Sequence, residues 1–349
     1  MLVREDKTTL LSRRREKMRL NSFLQPLFLA VPLCLALLIF SACHKAGLQT
    51  EAGPPLVRGI EQKITISVLQ RVSFDSLDRD PATGKPVVIQ ALLFKPEGAN
   101  SRRLPAVVAL HGCGGMYSTA KSKRDMLSTR HQMMADLLVA EGYAVLFPDS
   151  FRSRGFEEIC TVENKKRTLT QQHRRQDAQG ALVWLQRRDD VLPERVAVLG
   201  WSHGASAVLA TINAKQPAVA GWRDREPSRP YFRTGVAFYP GCNESLKAIG
   251  GYALAAPITF FIGGSDDWTA PGPCADLAAK LTAAGEDATI TVYPGTYHGF
   301  DGPSMQPQRR FDVPNGVHPG KGVTVAANPA ARDDAYAKLI KYLRKHLGP

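Results

Sequence analysis

Residues 196–213 read VAVLGWSHGASAVLATIN, in which an apolar run stops at a glycine and a helical pattern follows at once. The run VAVLG is continuously apolar, which is typical of a strand buried on both faces of a sheet. The segment ASAVLATIN carries apolar residues at spacings of three and four, which predicts a helix. Ser202 lies in the turn between them. The stretch therefore predicts a strand, a tight turn bearing one hydroxyl, and a helix.

Five more short apolar runs recur at 104–112, 143–150, 234–241, 257–264 and 288–295, and each closes on Gly, Pro or Asp. Helical patterns alternate with them, at 128–142, 169–188, 273–285 and 333–348. Two earlier segments, 63–74 and 86–96, are joined by turn residues and predict antiparallel strands. We predict an α/β fold with a mostly parallel, doubly wound sheet, two antiparallel N-terminal strands and helices on both faces. The Pro- and Gly-rich segment 301–332 predicts a long functional loop.

The pentapeptide GWSHG at 200–204 matches the pattern G-x-S-x-G. Between a buried strand and a helix, this pattern indicates a nucleophile elbow that lifts the Ser202 hydroxyl clear of the sheet. The glycines are needed where strand and helix pack too closely for side chains, and the helix N-terminus favours developing negative charge. The alternative is a tight turn without chemistry, because the pattern alone also occurs by chance.

A serine hydroxyl needs a base to take its proton, and two later loops carry suitable residues. Asp266 and Asp267 follow one predicted strand and His298 follows the next, so all three lie at carboxyl ends of parallel strands, where ligands bind. We predict that His298 is the base and that Asp266 orients it, with Asp267 as the alternative acid. His318, in the irregular segment, is the serious rival for the histidine.

Acyl transfer also needs N–H donors for the developing oxyanion. The backbone N–H of His203, directly after the serine, is one predicted donor. The second is predicted at the N–H of Cys113, because the loop HGCGG at 111–115 follows an early strand and its glycines leave backbone amides unshielded. The alternative for HGCGG is a glycine-rich turn without a role in chemistry.

Six motifs in order, HGCGG, FPDSF, GWSHG, FYPGC, IGGSDDWTAP and YPGTYHGFD, resemble the dienelactone hydrolase family of α/β-hydrolases from about residue 65 to the C-terminus. The resemblance implies action on esters, lactones and related acyl compounds without a cofactor. The namesake enzymes carry a cysteine nucleophile where this chain has Ser202, and a glutamate in the early loop where it has Gly112. The serine shifts the expectation from dienelactone toward general esters.

The N-terminus has the layout of an export signal. Residues 13–23 are basic, and the apolar run 27–43 follows and ends in FSAC. This ending resembles a bacterial lipoprotein signal, in which the cysteine is acylated and becomes the new N-terminus. We predict a signal at 1–42, a lipid anchor at Cys43 that reaches the membrane on the periplasmic side, a tether at 43–62 and the hydrolase domain at 63–349. The alternative for the apolar run is a spanning helix.

The net charge of +13, from 45 Lys and Arg against 32 Asp and Glu, does not indicate a nucleic-acid partner. Seven basic and three acidic residues lie in the first 42 positions, which leaves +9 for residues 43–349. The remaining basic residues are dispersed among acids and lack interleaved aromatics, which is typical of a solvated surface.

Four cysteines remain after Cys34 in the signal and the anchor: Cys113, Cys160, Cys242 and Cys274. Export permits disulfides, and four cysteines allow three pairings. Cys113 and Cys160 follow successive early strands, while Cys242 and Cys274 belong to successive later strand ends. We therefore predict the pairs Cys113–Cys160 and Cys242–Cys274. No close Cys-x-x-Cys pair is present, so the pattern does not indicate a metal site.

The sequence thus predicts an exported serine hydrolase that cleaves a small ester or lactone through an acyl-enzyme on Ser202. Two alternatives stay open. The first is a peptidase of the same fold, although the region before residue 100 is too short for the propeller that such enzymes often carry. The second is a non-catalytic envelope-binding protein that retains the fold.

Overall fold

Eight strands form one mixed sheet in the computed structural model, which describes residues 67–99, 102–303 and 306–348. In spatial order the sheet runs β1-β2-β4-β3-β5-β6-β7-β8. β1 pairs with β2 and β2 with β4 in antiparallel fashion, and every other neighbouring pair is parallel. The strands are β1 (Ser67–Arg79), β2 (Pro86–Pro96), β3 (Leu104–Leu110), β4 (Ala144–Pro148), β5 (Val191–Trp201), β6 (Thr234–Phe238), β7 (Ile258–Gly263) and β8 (Ala288–Tyr293).

Helices cover this sheet. Every residue of β3, β4, β6 and β7 is buried, and a strand can be buried at successive positions only when both faces of its sheet are covered. The predicted fold class is therefore confirmed. The helices of the described residues are α1 (Thr129–Ala140), α2 (Gln171–Gln186), α3 (His203–Thr211), α4 (Pro217–Ala220), α5 (Trp222–Arg225), α6 (Asn243–Leu246), α7 (Pro271–Ala283) and α8 (Pro329–Leu347).

The structure differs from the predicted elements mainly after residue 300. The segment predicted as irregular contains a small antiparallel ribbon, β9 (Gln308–Arg310) with β10 (Val323–Val325). The helix α8 begins four residues before its predicted start, because Asn328 caps it by accepting from the N–H of Ala331 and Pro329 occupies the first turn.

The parallel strands bring distant loops together. The loops after β3, β5, β7 and β8 all leave the carboxyl edge of the sheet, and they carry Cys113, Ser202, Asp266 and His298. Parallel register fixes this arrangement, since β5 pairs with both β3 and β6, and β7 pairs with both β6 and β8.

The predicted signal at 1–42, the anchor Cys43 and the tether at 43–62 lie outside the described residues. Within the described ranges, no helix combines the length and apolar character needed to cross a bilayer.

Candidate active site

Ser202 occupies a strained turn between β5 and α3. Its φ of 52° and ψ of −119° are unusual for a residue with a side chain, and its N–H is held by the carbonyl of Phe238 at 2.9 Å. A Cβ on Gly200 would lie 2.5 Å from the Gly204 carbonyl carbon, and one on Gly204 would lie 2.0 Å from the Leu110 oxygen. Both glycines are therefore required by close backbone packing, and the turn has the geometry of a nucleophile elbow.

Asp266 and His298 form a buried pair, with Asp266 Oδ2 2.7 Å from His298 Nδ1. The other carboxylate oxygen, Oδ1, accepts from the backbone N–H groups of Trp268 and Thr269 at 2.9 and 2.8 Å. These bonds fix the orientation of the carboxylate. A carboxylate acceptor at Nδ1 holds that nitrogen as N–H and leaves His298 Nε2 as the basic nitrogen.

Asp267 has different partners. Its carboxylate accepts from Arg309 at 3.0 Å and from the backbone N–H and hydroxyl of Thr324 at 2.6 and 3.0 Å, so it ties the β9–β10 ribbon to the loop after β7. His318, the rival histidine, lies exposed in the segment between β9 and β10. Among the described residues, neither Asp267 nor His318 makes a carboxylate–imidazole contact like that of Asp266 with His298.

Three residues missed by the sequence analysis pack around the pair. The Thr269 hydroxyl donates to Asp266 Oδ2 at 3.0 Å or to the Tyr239 carbonyl at 3.1 Å. The rings of Trp268 and Tyr239 lie 4.7 and 4.5 Å from the His298 ring, centroid to centroid. For Trp268 and Thr269 the sequence offers one indication of this position, because they follow the two aspartates directly in SDDWTAP.

A second buried carboxylate, that of Asp301, contacts three residues around the site. It accepts from the Tyr239 hydroxyl and from Trp201 Nε1, each at 2.7 Å, and it forms an ion pair with Arg130 at 3.0 Å. Burial raises the pKa of Tyr239 well above 10, so its hydroxyl remains a donor. Asp301 thus joins the loop of His298 to the strand residue just before Ser202. Asp301 lies three residues after His298 in the sequence, but the sequence pattern does not indicate which residues it contacts.

Two backbone N–H groups close to the serine have no protein acceptor among the described residues. His203 is the first residue of α3, whose initial N–H groups have no partner within the helix. Cys113 follows Gly112, and a Cβ at Gly112 would lie 3.6 Å from Ser202 Cβ, so this loop passes beside the serine. Among the described residues neither the N–H of Cys113 nor that of His203 donates to a protein acceptor.

The structure contains both predicted disulfides. Cys113 is bonded to Cys160, which ties the loop after β3 to the segment before α2, with Cα atoms 4.9 Å apart. Cys242 is bonded to Cys274, which ties the residue before α6 to α7, with Cα atoms 5.1 Å apart. Cys113 and Cys242 both line the cavity at Ser202, so each bridge fixes a wall of that cavity.

A cavity of about 370 Å³ opens at Ser202. Trp268 is part of its lining, which also includes six residues with amide or charged side chains: Asn164, Arg167, Gln171, Asn243, Glu244 and Asn315. Asn315 reaches across from the ribbon segment, donating to the Val162 carbonyl and accepting from the Asn164 N–H, both at 2.8 Å. The cavity therefore has the size of a small-molecule site and a polar wall.

Two of the three predicted catalytic residues are in direct contact in the structure, and the third is not hydrogen-bonded to them. Asp266 and His298 are in direct contact, while the Ser202 hydroxyl, in a residue 9% exposed, has no hydrogen-bond partner among the described residues. A hydrogen bond from a nucleophilic serine to its histidine is often long before substrate binds and shortens in the complex. Within the described part of the chain, no cluster of three or more His, Cys, Asp or Glu side chains is arranged to hold a metal ion.

Comparison with known proteins agrees with this architecture. The family model described as "Dienelactone hydrolase family" matches residues 89–347. A comparison with curated proteins gives no match.

Solved structures share the fold at low sequence identity. A putative dienelactone hydrolase from Klebsiella pneumoniae is 14% identical, with 80% of this chain and 99% of that chain covered and a TM-score of 0.54. A dienelactone hydrolase-like promiscuous phosphotriesterase from metagenomic libraries is 15% identical, with 80% and 98% covered and a TM-score of 0.55. Esterase 2 of Thermogutta terrifontis is 13% identical, with 82% and 94% covered and a TM-score of 0.52.

Because the family model spans most of the chain, this protein belongs to the dienelactone hydrolase family.

Proposed function

We propose that this protein is a serine esterase that cleaves small esters or lactones through an acyl-enzyme on Ser202. The observation that carries the proposal is the buried Asp266–His298 pair, joined at 2.7 Å. The pair contacts Thr269 and Trp268, which line the same cavity as Ser202. The strained elbow and the two N–H groups without acceptors supply the remaining requirements of acyl transfer.

In the proposed reaction, His298 Nε2 takes the proton of Ser202 as its Oγ bonds to the ester carbonyl carbon. The carbonyl oxygen gains the electron pair and accepts from the N–H groups of Cys113 and His203. Asp266 stabilises the imidazolium that forms. The carbon–oxygen bond to the alcohol then breaks, and His298 returns its proton to the leaving alkoxide. Water, deprotonated by His298, frees the acid and restores Ser202.

The test is hydrolysis of p-nitrophenyl esters of increasing acyl length, with Ser202→Ala as the control. We expect turnover that is highest for short acyl chains, because the cavity holds about 370 Å³ and has a polar wall. We expect Ser202→Ala to lose nearly all of it. Absence of turnover on every ester would overturn the esterase proposal, and peptide amide cleavage instead would favour the peptidase alternative.

We further propose that residues 1–42 are an export signal, Cys43 a lipid anchor, 43–62 a tether and 63–349 the catalytic domain. The two disulfides support an oxidising compartment, since such bonds are rare in reducing ones. Radiolabelled palmitate should enter the wild-type chain and fail to enter Cys43→Ser. Incorporation that survives the substitution would contradict the anchor.

A further inference from the structure

The side chain of His203 is the part of the elbow that the proposed reaction leaves unused. Only its backbone N–H enters the mechanism, yet the residue is 7% exposed and lines the cavity beside Ser202. Its Nδ1 lies 3.2 Å from Nη1 of Arg174. A guanidinium only donates hydrogen bonds, so His203 Nδ1 must be the acceptor and the ring proton must sit on Nε2.

Arg174, the partner of the His203 ring, is a buried residue of α2. It is 0% exposed, one turn along α2 from the cavity residue Gln171, and its guanidinium lies over the ring of Phe151 at 5.2 Å. Its Nε and Nη2 have no hydrogen-bond partner among the described residues. The bond to His203 is therefore the side-chain hydrogen bond that this buried cation makes within the described part of the chain.

The imidazole also stays neutral. Burial, together with the positive charges of Arg174 and Arg167, lowers the pKa of His203 well below 6.5. Burial lowers the pKa of Arg174 to about 9, which leaves the guanidinium charged at neutral pH. A neutral ring with Nδ1 occupied has one remaining polar atom, the Nε2–H donor. Among the described residues no protein group accepts from it.

We propose that His203 is a specificity-determining residue whose Nε2–H, oriented by Arg174 as a positioning residue, donates to an acceptor oxygen carried by the substrate close to its scissile carbonyl. The inference rests on the proposed function of Ser202. Consecutive Cα atoms are about 3.8 Å apart, so a donor on the residue after the nucleophile reaches only the first few atoms around the reacting carbonyl. The substrates favoured are esters with an ether, hydroxyl or keto oxygen near the ester group.

The test uses two esters of equal shape, p-nitrophenyl methoxyacetate and p-nitrophenyl butanoate, which differ by one oxygen in place of one methylene. The measured quantity is the ratio of their kcat/KM values, per active site titrated with a fluorophosphonate. Intrinsic reactivity cancels when this ratio is compared between wild type and variant. We expect His203→Phe to lower the ratio by roughly tenfold, which is the value of one neutral hydrogen bond at the upper end of its range.

Two further variants separate recognition from structural damage. His203→Gln places an amide N–H near the position of Nε2 and should keep the ratio within about threefold of wild type. Arg174→Met leaves the His203 ring free to turn. It should lower the ratio of the two kcat/KM values, even if both values themselves fall. A ratio unchanged in His203→Phe would overturn the recognition role, and one unchanged in Arg174→Met would overturn the positioning role. A wild-type protein that neither hydrolyses the esters nor reacts with the fluorophosphonate would overturn the proposed function, and this inference with it.

Discussion

Two adjacent aspartates at the end of β7 differ in what they bind. Asp266 is buried and bonded to His298, whereas Asp267 holds Arg309 and Thr324 of the ribbon. The sequence could not separate them, because both follow the same strand and either carboxylate can reach an imidazole from such a loop. In the structure, the backbone N–H groups of Trp268 and Thr269 hold Asp266 Oδ1, while Asp266 Oδ2 lies at His298 Nδ1.

Substitution at the two aspartates should therefore have unequal effects. Asp266→Asn removes the charge that orients His298 and stabilises its protonated form, and kcat for p-nitrophenyl acetate should fall by about 10³–10⁴. Asp267→Asn leaves that pair intact and should keep kcat within about tenfold of wild type. Steady-state kinetics on both purified variants decides. The reverse order would reassign the acid to Asp267.

At the scale of elements, the elbow depends on how closely α3 approaches β3. A Cβ on Gly204 would lie 2.0 and 2.4 Å from the carbonyl oxygens of Leu110 and His111, and backbone atoms cannot yield as a flexible side chain can. Gly204→Ala should destabilise the protein by about 3 kcal/mol or more. Gly272→Ala, in α7 where nothing lies within 4 Å, is the matched control and should stabilise by about 0.5–1 kcal/mol. Thermal unfolding of both variants measures this, and equal melting temperatures would refute the packing argument.

The strands that the sequence predicts most directly are those buried along their whole length. The strands β3, β4, β6 and β7 read as continuous apolar runs because both faces of the sheet are covered there, whereas the edge strand β8 is partly exposed. Five helices read from their apolar spacing. The three-residue strands β9 and β10 are too short for any period, and they are held by tertiary contacts such as that of Asp267 with Thr324. For the same reason the sequence does not indicate the role of Asp301, since its partners come from three distant parts of the chain.

The disulfides connect separate elements of the fold. We expect their reduction to lower activity before it unfolds the sheet. The bridges close segments with sequence separations of 47 and 32 residues, worth about 4 kcal/mol each in the chain-entropy model. The Cys113–Cys160 bridge also holds the loop of a proposed oxyanion donor. Titration with dithiothreitol should lower esterase activity at concentrations where the far-UV circular dichroism is unchanged. Simultaneous loss of both signals, or free thiols at all four positions on non-reducing peptide mapping, would contradict this.

At the scale of the whole molecule, buried neutral histidines make stability depend on pH. Burial lowers the pKa of His131 to about 4 and those of His111 and His203 well below 6.5. Between about pH 6.5 and 4 the unfolded chain therefore binds more protons at these residues than the folded chain does. Stability from this source is complete above pH 6.5 and is lost as the pH falls through that window, by up to about 3 kcal/mol for His131.

The melting temperature should accordingly drop between pH 7.5 and pH 5, and His131→Phe should make the drop shallower by removing one site of proton uptake. Scanning calorimetry at a series of pH values, at constant ionic strength, provides the measurement. A melting temperature that stays constant over this range would show that the histidines are not the cause, and an equal slope in His131→Phe would exclude His131.

The proposed esterase function depends on Ser202 being a nucleophile activated by His298. Reaction with a fluorophosphonate, followed by intact mass and peptide mapping, tests that most directly. We predict one adduct per chain, on Ser202, absent in Ser202→Ala and formed at least about 10³-fold more slowly in His298→Ala. An adduct on another residue, or an undiminished rate in His298→Ala, would contradict the proposed site.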